Sequence, residues 1–305
     1  MNASTRYLAC IALLPLLATL SSGPAEAAAK GTPKADSSAN PTTNTITPDG
    51  DRTVVAFSDP SRPGTLRIGI IMGGITVKGT DRKDVLIETE THAGPGCCGP
   101  RRHREDESET PQGMRRLWPQ QASMTVTEQN NEIKIDSPSF NRLVSFEIQV
   151  PKRTSLKLST VNGGNLEIDG VDGELELSNV NGSIELKHVG GSVVAHTVNG
   201  KVLATVDRVS AEKPMAFTSL NGAVDVTFPP SIKCNLKLRS DNGSVFTDFD
   251  VATLPQPAPQ VEDTRREGGR YRIDVNRGIY GSLNGGGPDI ELRTFNGNVY
   301  VRKGS

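Results

Sequence analysis

Aromatic residues make up only 4% of the 305-residue chain, with a single tryptophan, Trp118. That scarcity leaves no obvious stacking platform for bases or sugars. Charge of one sign is also missing: 34 Lys and Arg face 35 Asp and Glu. Without a basic excess there is no electrostatic case for nucleic acid or for an anionic membrane surface. Beyond the N-terminus no long apolar run occurs, so no integral membrane segment is expected in the mature chain. Helix signals are scarce there too. The calcium-binding pattern G-G-x-G-x-D is absent, and no Ser/His/Asp order, phosphate-cradling loop or dinucleotide fingerprint stands out.

What is abundant is glycine, and above all Asn-Gly. Seven pairs lie in the second half: Asn162-Gly163, Asn181-Gly182, Asn199-Gly200, Asn221-Gly222, Asn242-Gly243, Asn284-Gly285 and Asn296-Gly297. Most sit in a frame reading polar–apolar–Asn-Gly–x–apolar–x–apolar. The first five asparagines follow one another at steps of 19, 18, 22 and 21 residues. Half-way marks fall at Asp172-Gly173 and Gly190-Gly191. Between the turns the apolar residues alternate, as in Leu175 and Leu177, Ile184 and Leu186, Val202 and Ala204, Val224 and Val226. Period-two alternation describes a strand with one dry face.

One such strand pair cannot hold itself together. Two inward aliphatic residues per strand contribute about 1.5–3 kcal/mol each. Ordering the backbone costs about 1–2 kcal/mol per residue. Stacking resolves the shortfall, because each unit covers the open face of its neighbour. The reading is therefore all-β: a single-stranded parallel β-solenoid, or β-helix, of about ten coils with Asn-Gly corners. Gly is expected to supply positive φ at each corner, so Gly182→Val should destabilise on that ground. The asparagines are expected to stack as a ladder. Asn-Gly also marks simple β-hairpins, and a β-sandwich is the alternative architecture.

The N-terminus reads as a secretory signal. Arg6 precedes the apolar run Tyr7 to Leu20, and Ala25-Glu26-Ala27 offers a cleavage site. Residues 1–27 are thus a signal peptide, 28–52 a disordered leader, and 53–305 the β-domain. Surface insertions are expected at 91–121 and 251–268, with two final coils from Tyr271 to Arg302. The expected address is secreted or periplasmic, with no integral membrane segment once the signal is removed.

Within the first insertion, His92, Cys97, Cys98 and His103 form a chemically sensible zinc or copper set. Adjacent cysteines point at one ion with difficulty. A vicinal disulfide, a disulfide to Cys234 or exposed thiols are the other readings. No cofactor is expected. The outward acids Glu167, Asp169, Glu174, Glu176, Glu185 and Asp225 are interleaved with Lys157, Lys187, Lys201 and Lys237. Such a face suits solvation; clustered in a groove it would suit glycoside chemistry.

Three stretches belong together: Gly74-Ile75-Thr76-Val77-Lys78-Gly79 followed by Asp84-Val85-Leu86-Ile87, Ile148-Gln149-Val150-Pro151 leading into Ser155-Leu156-Lys157-Leu158, and the Asn-Gly train. With these the chain resembles a bacterial family of extracytoplasmic β-solenoids labelled putative adhesins. The family is a domain of unknown function and brings no catalytic residues. The resemblance implies a non-catalytic, envelope-associated interaction or structural protein whose partner is an envelope or surface component, protein or glycan. A carbohydrate-active β-helix enzyme and a metal-binding envelope sensor are the readings from other classes.

Overall fold

The computed structural model describes residues 52–92, 124–137, 143–256, 260–263, 265, 269–274 and 278–304. Strands alternate buried and exposed residues, as in β8 (Thr154–Asn162) and β10 (Asp172–Asn181). Their inward positions carry Leu156, Leu158, Leu175 and Leu177, each almost wholly removed from water. The glycine-rich corners end each strand and start the next.

The strands form two rows. In the first, the spatial order is β6 (Glu132–Asp136), β2 (Gly64–Met72), β8, β10, the second half of β11 (Ile184–Asn199), β13 (Met215–Asn221), β21 (Asp289–Asn296) and β15 (Cys234–Asn242), all parallel. The second row runs β7 (Leu143–Pro151), β3 (Ile75–Thr80), β9 (Leu166–Asp169), the first half of β11, β12 (Val202–Val209), β14 (Val224–Phe228), β22 (Val299–Lys303) and β16 (Val245–Thr247), again parallel. Their inward aliphatic residues join in one hydrophobic cluster.

Antiparallel strands close both ends. β4 (Asp84–His92) pairs with β7, and β1 (Arg52–Ala56) pairs with β4. β5 (Thr125–Gln129) lies on β6. At the other end β20 (Ile279–Leu283) lies on β15, and β17 (Ala252–Thr253) on β20. β18 (Gln260–Asp263) and β19 (Tyr271–Asp274) make a separate two-stranded sheet.

The all-β expectation describes this molecule; about ten uniformly parallel coils does not. The large sheet has twenty strands with mixed pairing. Side-chain alternation is the same in parallel and antiparallel strands, so the sequence pattern cannot separate them. The end strands satisfy backbone groups that a bare parallel stack would leave open. Tyr271 to Arg302 is not two coils. It holds β19, the antiparallel β20 and one parallel pair, β21 and β22. The 251–268 segment carries β17 and β18, and β4 continues through His92 into the expected first insertion.

Spatial order also departs from chain order at both ends. β6 and β7 lie outside β2 and β3. The C-terminal β21 and β22 lie between β13 and β15 and between β14 and β16. The last strands of the chain thus fill a slot between strands made earlier.

Candidate functional site

One corner of the first row carries three adjoining columns of side chains. The first is an asparagine ladder. Asn181 Nδ2 donates to Asn162 Oδ1 at 2.6 Å, and Asn199 Nδ2 to Asn181 Oδ1 at 2.8 Å. Asn221 donates to Asn199 at 2.8 Å, Asn296 to Asn221 at 2.7 Å, and Asn242 to Asn296 at 3.0 Å. Every amide points the same way, so the ladder has polarity. Among the described residues the Asn162 side chain only accepts and that of Asn242 only donates. In the strand beyond Asn162 the register position is Met72, which ends the column.

Two residues before each ladder asparagine lies a hydrogen-bonding side chain, buried in every strand but β15, where Ser240 is half-buried. Thr160, Thr197, Ser219, Thr294 and Ser240 donate hydroxyls to the carbonyls of Gly73, Gly182, Gly200, Gly222 and Gly297 at 2.7–2.9 Å. Asn179 takes this place in β10 and donates Nδ2 to Gly164 O at 3.1 Å. These bonds clamp each corner to its neighbour. The polar residue that opens the sequence frame was the signal for them.

Between the two polar columns an apolar residue faces outward from six strands, at Ile71, Val161, Val180, Val198, Leu220 and Phe295, while in β15 the position is Asp241. The valines are half-buried. Ile71, Leu220 and Phe295 remain 40%, 43% and 45% exposed. At one residue per strand the stripe spans about 24 Å. Alternation predicts a polar residue at such an outward position, and here it fails.

Six of the seven Asn-Gly pairs meet in the ladder. Asn284-Gly285 does not. Both residues have positive φ, 49° and 91°, and Gly286 N donates to Leu283 O at 3.0 Å. That is the hairpin-type meaning of Asn-Gly. The turn carries the chain across the start of β15, where Asn284 Nδ2 donates to Pro230 O and Ile232 O at 3.2 and 2.7 Å. Of the six ladder glycines, Gly163 and Gly297 have the expected positive φ, 85° and 150°, and the other four, Gly182, Gly200, Gly222 and Gly243, do not. A Cβ on any of those four would fall 1.9–2.1 Å from a neighbouring corner carbonyl oxygen. Crowding between corners, not handedness of the backbone, requires glycine there.

Of the proposed metal set, His92 ends β4 opposite Leu143. Cys97, Cys98 and His103 lie outside the described residues, as does Trp118. Among the described residues no group of three or more His, Cys, Asp or Glu is placed to hold a metal ion. Cys234 is a free, buried thiol, and burial pushes its pKa up to about 11. The outward acids divide between the rows, and four of the six, Glu174, Glu176, Glu185 and Asp225, pair with bases. Glu185 meets Lys187 at 3.0 Å and Glu176 meets Lys157 at 3.4 Å. Glu174 pairs with Lys213, while Asp225 accepts both Nε and Nη2 of Arg302. Hydrogen bonding to Glu185 and Asp225 raises the Lys187 and Arg302 pKa values.

Two further surfaces escaped the sequence reading. Phe246 and Tyr300 stack with centroids 5.3 Å apart at 13°, and the Arg302 guanidinium lies 5.2 Å from the Tyr300 centroid. Adjacent strands bring these rings together, although their positions in the chain are far apart. A groove of about 480 Å³ on the first row is lined by Val194, Ala216, Leu254 and Tyr280 beside the Lys237–Glu291 pair.

Among the described residues no helix is long and apolar enough to cross a membrane. No protein-family model matches the chain, and no curated protein matches it. Its structure is similar to that of a putative cell adhesion protein from Clostridium sporogenes ATCC 15579. The TM-score is 0.46 at 12% identity, covering 83% of this chain and 99% of that one. It is also similar to a putative adhesin from Bacteroides fragilis NCTC 9343, with a TM-score of 0.27 at 10% identity, covering 83% of this chain and 95% of that one.

Proposed function

We propose that this protein is a non-catalytic, extracytoplasmic β-solenoid that binds a component of the cell envelope through its asparagine corner. The observation that carries this reading is the outward apolar stripe from Ile71 to Phe295. With Leu220 43% and Phe295 45% exposed, each forgoes roughly half of the about 1.5–3 kcal/mol that full burial of such a side chain gives. A partner that covers them recovers it. The ladder and the buried hydroxyl column hold the stripe at fixed spacing, so little ordering entropy is lost on docking. The stripe offers apolar side chains rather than fresh donors and acceptors, which favours a protein partner over a glycan. The apolar N-terminal segment supports an extracytoplasmic address.

The test is co-sedimentation of the mature protein with isolated bacterial envelopes, alongside Leu220→Ser/Phe295→Ser and a deletion of residues 94–116. Saturable binding that the double substitution abolishes, with its melting temperature retained, is the expected result. Binding lost only on deletion would move the site to the insertion. No saturable binding by the unaltered protein would sink the envelope reading.

A further inference from the structure

Asn-Gly pairs have a reactivity of their own. Glycine leaves its backbone nitrogen unshielded by a side chain, and that nitrogen can attack the preceding asparagine's Cγ. The fold restrains the seven pairs unequally. Asn181, Asn199, Asn221, Asn296 and Asn242 each donate Nδ2 to the next ladder member. Asn284 donates to two carbonyls. Asn162 donates its amide to no described group; it only accepts.

The glycine side of the pair points to the same corner. Gly200, Gly222 and Gly297 donate their backbone N–H to the carbonyls of Asn221, Asn296 and Asn242. Gly163 has no such bond among the described residues, and neither have Gly182, Gly243 and Gly285; what sets Gly163 apart is its place in the corner. It is an extra residue. Asn162 is followed by Gly163, Gly164 and Asn165 before Leu166, whereas Asn181 is followed by only Gly182 and Ser183 before Ile184. Gly164, not Gly163, holds the place in the corner column, since its carbonyl accepts from Asn179 and faces Gly182. Gly163 bulges outward, exposed, at φ +85°.

We propose that Asn162 is a self-modification site, at which the native fold permits amide loss that it suppresses along the rest of the ladder. The Gly163 backbone nitrogen gives up its proton to hydroxide and bonds to Asn162 Cγ. The Cγ–Nδ2 bond breaks, and Nδ2 leaves as ammonia after taking a proton from water. The resulting five-membered imide is opened by one water molecule, giving either aspartate or isoaspartate. No oxidant, reductant or cofactor enters the balance.

The ladder's polarity makes this the position where conversion to aspartate is tolerated. A carboxylate at 162 still accepts from Asn181 Nδ2, now as a charge-assisted bond. At any other ladder position it would set an acceptor oxygen against the neighbour's Oδ1. Conversion also places a negative charge beside Val161, on the apolar stripe. The site stands on the ladder geometry alone and does not depend on the proposed binding role.

The experiment holds the full mature chain in mildly alkaline buffer, natively and in denaturant, and locates amide-to-acid conversion by peptide mapping. In the native sample Asn162 should convert first. A ladder pair that must break one amide bond before reacting should lag by about tenfold. In denaturant the seven pairs should converge. Native conversion led by another pair, spread evenly, or absent while the denatured sample converts would overturn the proposal. A second measurement reads the polarity: Asn162→Asp should keep the melting temperature and Asn199→Asp should lower it. Equal losses would overturn the account of the ladder.

Discussion

Asn242 donates its side-chain amide to Asn296 at 3.0 Å across 54 residues of chain. Asn296 in turn donates to Asn221 at 2.7 Å. The C-terminal strand pair therefore separates two strand pairs that follow one another in sequence. Double-mutant cycles test this order. Alanine at Asn296 removes two ladder bonds and should cost about 2 kcal/mol in chemical denaturation, at about 1 kcal/mol per bond. The Asn221/Asn296 pair should show coupling energy, and Asn221/Asn242 should be additive within error. Coupling between Asn221 and Asn242 would mean that they are direct neighbours and that the slot does not exist.

That slot marks where sequence reading stops. The alternation of Leu175, Leu177, Ile184 and Leu186, and the recurrence of Asn-Gly, both follow from a repeated local unit. They made the all-β class, the strands and the inward face legible. Strand order is a long-range property. Asn296 occupies the same local frame as Asn199, and Asn242 departs from it at Asp241, which stands in place of an apolar residue; nothing in either frame says which neighbour it will meet. The metal candidates mark a different boundary: Cys97, Cys98 and His103 lie outside the described residues, and spacing alone does not set convergence. The stripe was hidden for another reason. Val161, Val180, Val198, Leu220 and Phe295 each stand between two polar residues and read as filler until the register aligns them.

Two glycines separate crowding from backbone handedness. Gly200 has ordinary φ, but a Cβ there would lie 2.1 Å from Gly182 O. Gly285 has φ +91° and open space around its Cα. Gly200→Ala should destabilise by about 1–3 kcal/mol through overpacking. Gly285→Ala should cost about 1 kcal/mol through its φ alone. D-alanine, introduced by semisynthesis, should restore stability at 285 and fail at 200. Rescue at 200 would show that positive φ, not the neighbouring carbonyl, demands glycine at the ladder corners.

Cys234 links the core to alkaline pH. Burial disfavours its thiolate, so the folded pKa, about 11, lies above the ordinary 9.0. Below pH 9.0 both folded and unfolded chains keep the proton, and the thiol leaves stability independent of pH. Between pH 9.0 and 11 the unfolded chain loses the proton while the folded chain retains it, so stability falls as pH rises. The melting temperature should therefore decline more steeply over this window in the parent protein than in Cys234→Ala. Peptide mapping after thiol alkylation should find Cys234 unlabelled until denaturant is added. Parallel pH profiles for parent and variant would remove the thiol from the alkaline transition.

Asn179 is the odd member of the buried hydroxyl column. Its Nδ2 donates to Gly164 O at 3.1 Å and to Ser183 O at 3.4 Å. Its Oδ1 is buried with no hydrogen-bond partner among the described residues. Threonine, the residue at 160, 197 and 294, would keep a donor for Gly164 O and delete the stranded acceptor. Removing that acceptor should stabilise by about 1 kcal/mol, because an unpaired buried polar group costs about 1–3 kcal/mol and the longer bond to Ser183 is given up. Valine at the same position removes the donor as well and strands the Gly164 carbonyl, so Asn179→Val should fall below the parent. The expected order of melting temperatures is Thr above Asn above Val. If Asn179→Thr melts below the parent, the volume and second bond of asparagine outweigh its orphan oxygen, and the column tolerates its odd member because the Asn179 amide fills the corner against Gly182.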